Sequence, residues 1–415
     1  MVQAPLSGSG RDPRALARAA LALTLAAAAP SLAIDFHVTK TADTADGACD
    51  ADCSLREAVI AANANPGLDR VLLGAGTYEL TRAGAGEDAA ATGDLDLTED
   101  VEIFGRGAAE TLIDGNRLDR AFHVNPLLGS VTAAIRDLTI TDSDGGVLNW
   151  GVLDMGRCVV TANVSSWEGA GIATENGGTL YLWSSTVSEN TTAQDGGGLQ
   201  SNTGSLYVTG STISDNVGGY LGGGILAQGL LALSNSTVTG NVATGGGGGG
   251  AFYSLGEVNL VHVTIASNGS AAGTADLYLG AGPVHFSNTL IADSCAFAPG
   301  VTPVSFGGNL ESLGDTCGFD HATDQVAVAD PGLGPLADQG GSTWTLQVFP
   351  GSPAIDQGLG ASSMARDQRW APRPFDGDES GAAQPDVGAV EVNPFWIFGD
   401  DFDSGDAYAW SWSPP

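Results

Sequence analysis

The chain has 415 residues and a net charge of −33, from 15 Lys and Arg against 48 Asp and Glu. That balance argues against nucleic acid as a partner, because phosphate binding needs clustered Lys and Arg, and against a polybasic membrane-surface role. Hydrophobic residues reach 43%, too many for a disordered acidic chain, so a folded protein is expected.

In chain order, residues 1–33 read as a secretory signal peptide. Arg11, Arg14 and Arg18 precede an apolar run, Ala19 to Ala29, that is too short to span a bilayer. Ser31-Leu32-Ala33 offers small residues for cleavage after Ala33. The mature protein is therefore expected to be secreted or held on a bacterial cell surface, with no transmembrane span. Exported cysteines meet oxidising conditions and tend to pair. Cys49 and Cys53 are close enough for a local loop disulfide, and Cys295 and Cys317 bracket a Gly/Pro-rich loop. Cys158 is left over in an apolar run and reads as a buried small hydrophobe. Cys-x3-Cys could also hold zinc, but no companion His or Cys pair accompanies it.

Residues 49–64 predict a short capping helix. Ser54 and Glu57 form a capping box, and Leu55, Ala58, Val59 and Ala62 make an apolar face.

An internal repeat then fixes the architecture. Val160, Val187, Ile213, Val238, Ile265 and Ile291 recur at spacings of 27, 26, 25, 27 and 26. Leu153, Leu180, Leu206, Leu231, Val258 and Val284 keep register seven residues earlier, and Met155, Leu182, Val208, Leu233, Leu260 and Phe286 lie two residues after those. Apolar residues at i and i+2 mean strands with one buried face. A coil of about 26 residues cannot bury that face alone, whereas stacked coils build a continuous core. The expected fold is an all-β, right-handed parallel β-helix, its hand assigned by analogy with similar solenoids.

Two further columns belong to turns. Asn163, Asn190, Asn216, Asn241 and Asn268 suit left-handed backbone and can bond one another along the axis. Asn-x-Ser/Thr triplets at 163, 190, 235 and 268 are explained by this turn chemistry rather than by glycosylation. Gly146, Gly171, Gly198, Gly224 and Gly250 are expected where φ is positive or backbones approach closely. The Gly245 to Gly250 run matches G-x-G-x-x-G trivially, with no helix after it to make a dinucleotide site.

These segments carry a resemblance. HVTKTADTADGACDADCSLREAVIAANANPG at 37–67 resembles the CSLREA domain of secreted bacterial proteins, and GEDAAATGDLDLTEDVEIFGRGAAETLIDG at 86–115 is similar to the segment downstream of that domain in such proteins. The S-T-V/I-x-x-N and GGG-I/L repeats resemble polymorphic outer-membrane-protein repeats. Residues 330–391, with PGSPAID, DQR and DVGAVE, resemble a choice-of-anchor Q domain, although Pro385 stands where a Cys is often found. The stretch 398–413 is similar to a short acidic, Trp-ending tail of exported proteins. The resemblance implies an exported or surface-associated β-helix protein and no established reaction. The implied organisation is a cap at 34–100, a β-helix at 101–294, a disulfide-bracketed loop and last coil at 295–329, a C-terminal cap at 330–392 and a tail at 393–415.

Candidate chemistry is sparse. Glu168 is expected above Asp195 and Glu189 above Asp215 on adjacent coils, at a separation suited to glycosidase carboxylates or to Ca²⁺. Solvated turn carboxylates are the simpler account. No Lys or Arg occurs between Arg157 and Arg366, so the repeats offer no Arg base for β-elimination. G-x-S-x-G and H-E-x-x-H are absent. Tyr181, Trp183 and Tyr207 should project outward and could stack on sugar rings, or merely shield the sheet. Asp376, Asp378 and Ser380 match the first half of a Ca²⁺ loop, with Asp386 beside the final position. Asp400, Asp401, Asp403 and Asp406 in the tail, and Asp43, Asp46, Asp50 and Asp52 near the first cysteines, are weaker calcium candidates. His262 and His285 could meet on successive coils. The reading is an exported structural, adhesive or glycan-binding module whose partner is a cell-surface or extracellular polysaccharide. The alternative is a polysaccharide-active enzyme using the stacked carboxylates.

Overall fold

Alternation of apolar and polar residues builds four short strands per turn of the chain, the first two of which belong to one sheet. In one coil these are Thr179–Trp183 and Thr186–Ser188, then Thr191–Thr192, then Leu199–Ser201. A computed structural model describes residues 33–393, apart from Leu128, Ala272 and Gly273. The predicted signal peptide, but for Ala33, and the tail carboxylates lie outside the described residues.

Among the described residues, strands of successive coils pair in parallel and form three sheets of 20, 9 and 5 strands. The apolar columns fall into register as the spacing predicts. Leu153 pairs with Leu180, Leu180 with Leu206, Leu206 with Leu231, Leu231 with Val258 and Val258 with Val284. All of them are buried in one continuous core. The chain is thus a parallel β-helix.

The asparagine column is a buried ladder. The Nδ2 of Asn163, Asn190, Asn216 and Asn241 donates to the Oδ1 of the next asparagine at 2.9–3.0 Å. The glycine column runs beside it. None of its members has positive φ. A Cβ on Gly171 would lie 2.4 Å from the Gly198 carbonyl oxygen and 3.1 Å from Asn190 Nδ2. Close approach, rather than left-handed backbone, is therefore what requires these glycines.

Helix Leu55–Ala64 packs against the first coils, and the Ser54–Glu57 capping box is formed. Arg56 and Glu57 are buried beside the apolar face. Arg56 Nε donates to Asp43 Oδ1 at 2.6 Å, and its other nitrogens reach the carbonyls of Ala90, Gly93 and Asp94. Both expected disulfides are present, Cys49–Cys53 and Cys295–Cys317, and Cys158 is free and buried.

After strand Gln325–Val328 ends the long sheet, the chain forms an antiparallel pair, Leu333–Ala337 with Thr345–Val348. It then runs back along the flank of the solenoid. Gln368 accepts from Thr237 Oγ1 at 2.7 Å and donates to Thr212 Oγ1 at 2.9 Å. Arg373 is fully buried between Glu391 and Asn235, each at 2.9 Å. The C-terminal segment both covers the last coil and clasps several earlier ones.

Candidate functional site

The outward residues of the nine-stranded sheet form one column: Asp96, His123, Leu148, Ala173, Gln200, Leu226, Tyr253 and Tyr278. From Asp96 to Leu226 they are buried, although they point away from the core. Loop residues Ser165 to Gly169 and the strand-exit residues Trp150 and Glu175 flank this face and make a groove of it around Leu148 and Ala173. Tyr253 and Tyr278 stack farther along, with ring centroids 4.5 Å apart.

Midway along the groove is a cleft of about 170 Å³. Leu148 and Ala173 lie among its lining residues, with Trp150 and Glu175 from the strand exits, Trp167 and Glu168 from the loop before the sheet, and Arg120 from an earlier coil. The loop is placed by Ser165, whose hydroxyl accepts from the Trp167 amide at 3.0 Å. Trp167 is 69% exposed. Trp150 Nε1 donates to Glu175 Oε2 at 3.4 Å. Gln200 Nε2 donates to Glu168 Oε2 at 3.0 Å, while Gln200 Oε1 is buried without a partner. Burial, followed by the negative charge of Asp195 and Glu175, pushes the Glu168 carboxyl up. Asp195 is raised too, by burial. At the groove's amino-terminal end burial, then Asp96 and Asp119, push the Asp94 carboxyl up to about 8.

The predicted pair Glu168 and Asp195 does fall on adjacent coils, since the Gly169 amide donates to the Asp195 carbonyl at 3.0 Å. Only Glu168 lines the cleft; Asp195 Oδ1 accepts from the Leu221 amide at 2.7 Å. Glu189 and Asp215 sit in exposed left-handed turn positions, at φ 57° and 55°, away from the cleft lining. They are solvated turn residues, as turn carboxylates at positive φ tend to be.

The aromatic expectation divides. Tyr181 and Tyr207 project from the long sheet and stack at 5.0 Å with an interplanar angle of 13°. Trp183 projects from the same face but lies over Gly156 of the preceding coil. Its Nε1 donates to Asp154 Oδ1 at 2.8 Å, and the guanidinium carbons of Arg157 and Arg136 lie 5.0 and 5.7 Å from its ring centroid. The Trp183 ring is committed to cation–π and hydrogen-bond partners within the protein.

The calcium candidates are rearranged. Asp376 and Asp378 approach Asp356, with one ligand-type oxygen from each within 4.8 Å of the others. Asp386 does not join them. It is buried, and its oxygens accept from the Asp356 and Val392 amides. Ser380 contributes its amide to Asp376 and Asp378. Asp43, in the amino-terminal acidic loop, is paired with Arg56. His262 and His285 do not meet. His285 pairs in register with Asn259, and His262 Nε2 accepts from Asn288 Nδ2 at 3.0 Å.

Sequence reasoning missed Trp150, Trp167, Glu175, Arg120 and Gln200. The available signal was the glycine column: Leu148, Ala173, Gln200 and Leu226 each stand two residues after a column glycine. That offset marks the outward face of the second sheet.

A family model described as a right-handed β-helix region matches residues 127–291. The chain is a right-handed parallel β-helix protein. No curated protein matches the sequence. Among solved structures it is similar to pectate lyase Pel9A, at 14% identity and a TM-score of 0.46, over 88% of this chain and 98% of that one. It is also similar to an alginate lyase from Paenibacillus sp. str. FPU-7, at 14% identity and a TM-score of 0.37, over 71% and 95% of the two chains. These likenesses concern the fold.

Proposed function

We propose that this is an exported protein that binds polysaccharide in the groove of the nine-stranded sheet. The observation that carries the reading is Trp167, an exposed indole beside the half-buried carboxylates Glu168 and Glu175 in one cleft. Indole faces suit the apolar faces of sugar rings, and carboxylates and amides accept or donate to their hydroxyls. The unpartnered Gln200 Oε1 is a buried acceptor next to Glu168, of the kind that a ligand hydroxyl satisfies. Neutral glycans are favoured over uronates, because a net charge of −33 repels polyanions. Two disulfides support folding outside the cytoplasm. The CSLREA-like cap and the anchor-like clasp support a surface-associated or secreted protein.

A second reading is favoured by one observation. The raised carboxyl of Glu168 suits a general acid, with Glu175 of the same cleft as its partner, which would make the groove a glycosidase site. The deciding experiment incubates purified protein with neutral and acidic polysaccharides and measures both retention and new reducing ends. Retention without new ends is the expected result. New ends that disappear in Glu168→Gln would establish chain cleavage at this site instead. A folded protein that neither retains polysaccharide nor makes new ends would end both readings.

A further inference from the structure

Asp96 and His123 are register partners at the amino-terminal end of the groove, and Asp88 comes to them from the preceding loop. One ligand-type atom from each lies within 4.8 Å of the other two. Asp96 is fully buried. Its Oδ2 accepts from the Ala90 amide at 2.8 Å, but its Oδ1 has no hydrogen-bond partner. Nε2 of buried His123 has none either. Asp96 Oδ1 lies 3.5 Å from His123 Nδ1. Two ligands on a tetrahedral ion with bonds of about 2.1 Å stand about 3.4 Å apart, so this gap already has the dimension of a coordination edge.

The surroundings are negative. Asp94 and Asp119 are also buried here, and Asp119 Oδ2 is a second unpartnered oxygen. Arg120 faces them at 3.9 and 3.6 Å. Carboxylates outnumber the cations around them, and buried like charges are costly unless something neutralises them.

We propose that Asp88, Asp96 and His123 form a binding site for a divalent transition ion of the zinc class. The donor set selects the metal. Calcium takes six to eight oxygen ligands, whereas one imidazole with two carboxylates suits zinc or manganese. Three protein ligands leave a coordination position for water or for an oxygen of a bound molecule. The site borders the cleft, because the His123 ring meets the edge of Trp150 at a centroid distance of 4.5 Å. The proposal does not depend on glycan binding. Its competing account is a metal-free Asp96–His123 ion pair.

The test uses the intact purified protein, stripped with chelator and dialysed separately against Zn²⁺, Mn²⁺ or Ca²⁺ alone. Metal content is read by plasma mass spectrometry and affinity by calorimetry. One equivalent of Zn²⁺, bound more tightly than Ca²⁺, is expected, with a melting temperature that rises on zinc addition and falls back with chelator. Asp88→Ala alters an exposed side chain, so the fold should survive while zinc affinity falls at least about tenfold. His123→Gln should remove the preference for zinc over calcium. Well under one equivalent in folded wild-type protein would overturn the proposal in favour of the ion pair. Full zinc binding by folded Asp88→Ala and His123→Gln would overturn it by placing the metal elsewhere.

Discussion

Asn216 Oδ1 receives two hydrogen bonds from Asn190, one from its amide and one from its Nδ2, both at 3.0 Å. Asn216 Nδ2 in turn donates to Asn241 Oδ1 and to the Val187 carbonyl, both at 2.9 Å. Each rung therefore ties three coils together inside the turn. Asn216→Ala would strand the Asn190 donors and the Val187 carbonyl in a buried site. At roughly 1–3 kcal/mol per buried unsatisfied group, less whatever water recovers, the loss should be at least about 3 kcal/mol. Urea unfolding of wild type and variant checks it.

The neighbouring glycines give a second, sterically distinct prediction. Gly171→Ala places a Cβ 2.4 Å from the Gly198 carbonyl oxygen and 2.9 Å from Val187 Cγ1. Overpacking of this kind costs about 1–3 kcal/mol. Gly177 has φ of 79° but open space around it. Gly177→Ala should cost about 1 kcal/mol, from backbone strain alone. Thermal denaturation of the two variants should rank Gly171→Ala as the less stable.

Gln368 is the pin of the C-terminal clasp. It is buried, and its amide joins Thr237, Thr212 and Thr343. Gln368→Ala should release the flank contact without touching the apolar columns. Hydrogen exchange should then accelerate in residues 343–391 and around Thr212 and Thr237, with the strands near Leu180 unchanged.

The asparagine ladder ends on Asp293, whose Oδ2 accepts from Asn268 Nδ2 at 2.6 Å. Burial pushes the Asp293 carboxyl up to about 6, against the opposing bonds from Asn268. A raised carboxyl makes the native state hold a proton that the unfolded chain releases near pH 4. Its contribution is therefore complete below about pH 4 and is lost as pH rises through about 6. Asp293→Asn, which extends the ladder with a neutral amide, should gain stability relative to wild type at pH 8 and little at pH 4. The gain should be on the order of 1–2 kcal/mol. Melting curves of both proteins across that range decide it.

The core was legible because a period near 26 carries its apolar residues at fixed offsets, and a one-residue slip would turn Leu180 and Leu182 outward. The ladder was legible because asparagine recurs where a turn must be made. The capping helix was legible from Ser54 and Glu57, yet the burial of Arg56 was not. A charged residue is buried only when its partners arrive, and Asp43 and the Gly93 carbonyl come from elsewhere in the chain. The cleft was hidden for a related reason. Trp150, Trp167 and Glu175 belong to turns whose sequence varies between coils, so no column announces them. Trp183 shows the opposite error, because alternation places a side chain outside the core without saying what covers it there.

The groove as a glycan-binding surface is tested most directly by calorimetry, with an oligosaccharide from the polysaccharide that retains the protein. Wild type is compared with Trp167→Ala and Tyr181→Ala, each altering an exposed side chain. The predicted result is a loss of at least about tenfold in affinity for Trp167→Ala, with Tyr181→Ala close to wild type. Unchanged affinity in folded Trp167→Ala, with the loss appearing in Tyr181→Ala, would contradict the account and move the binding surface to the long sheet.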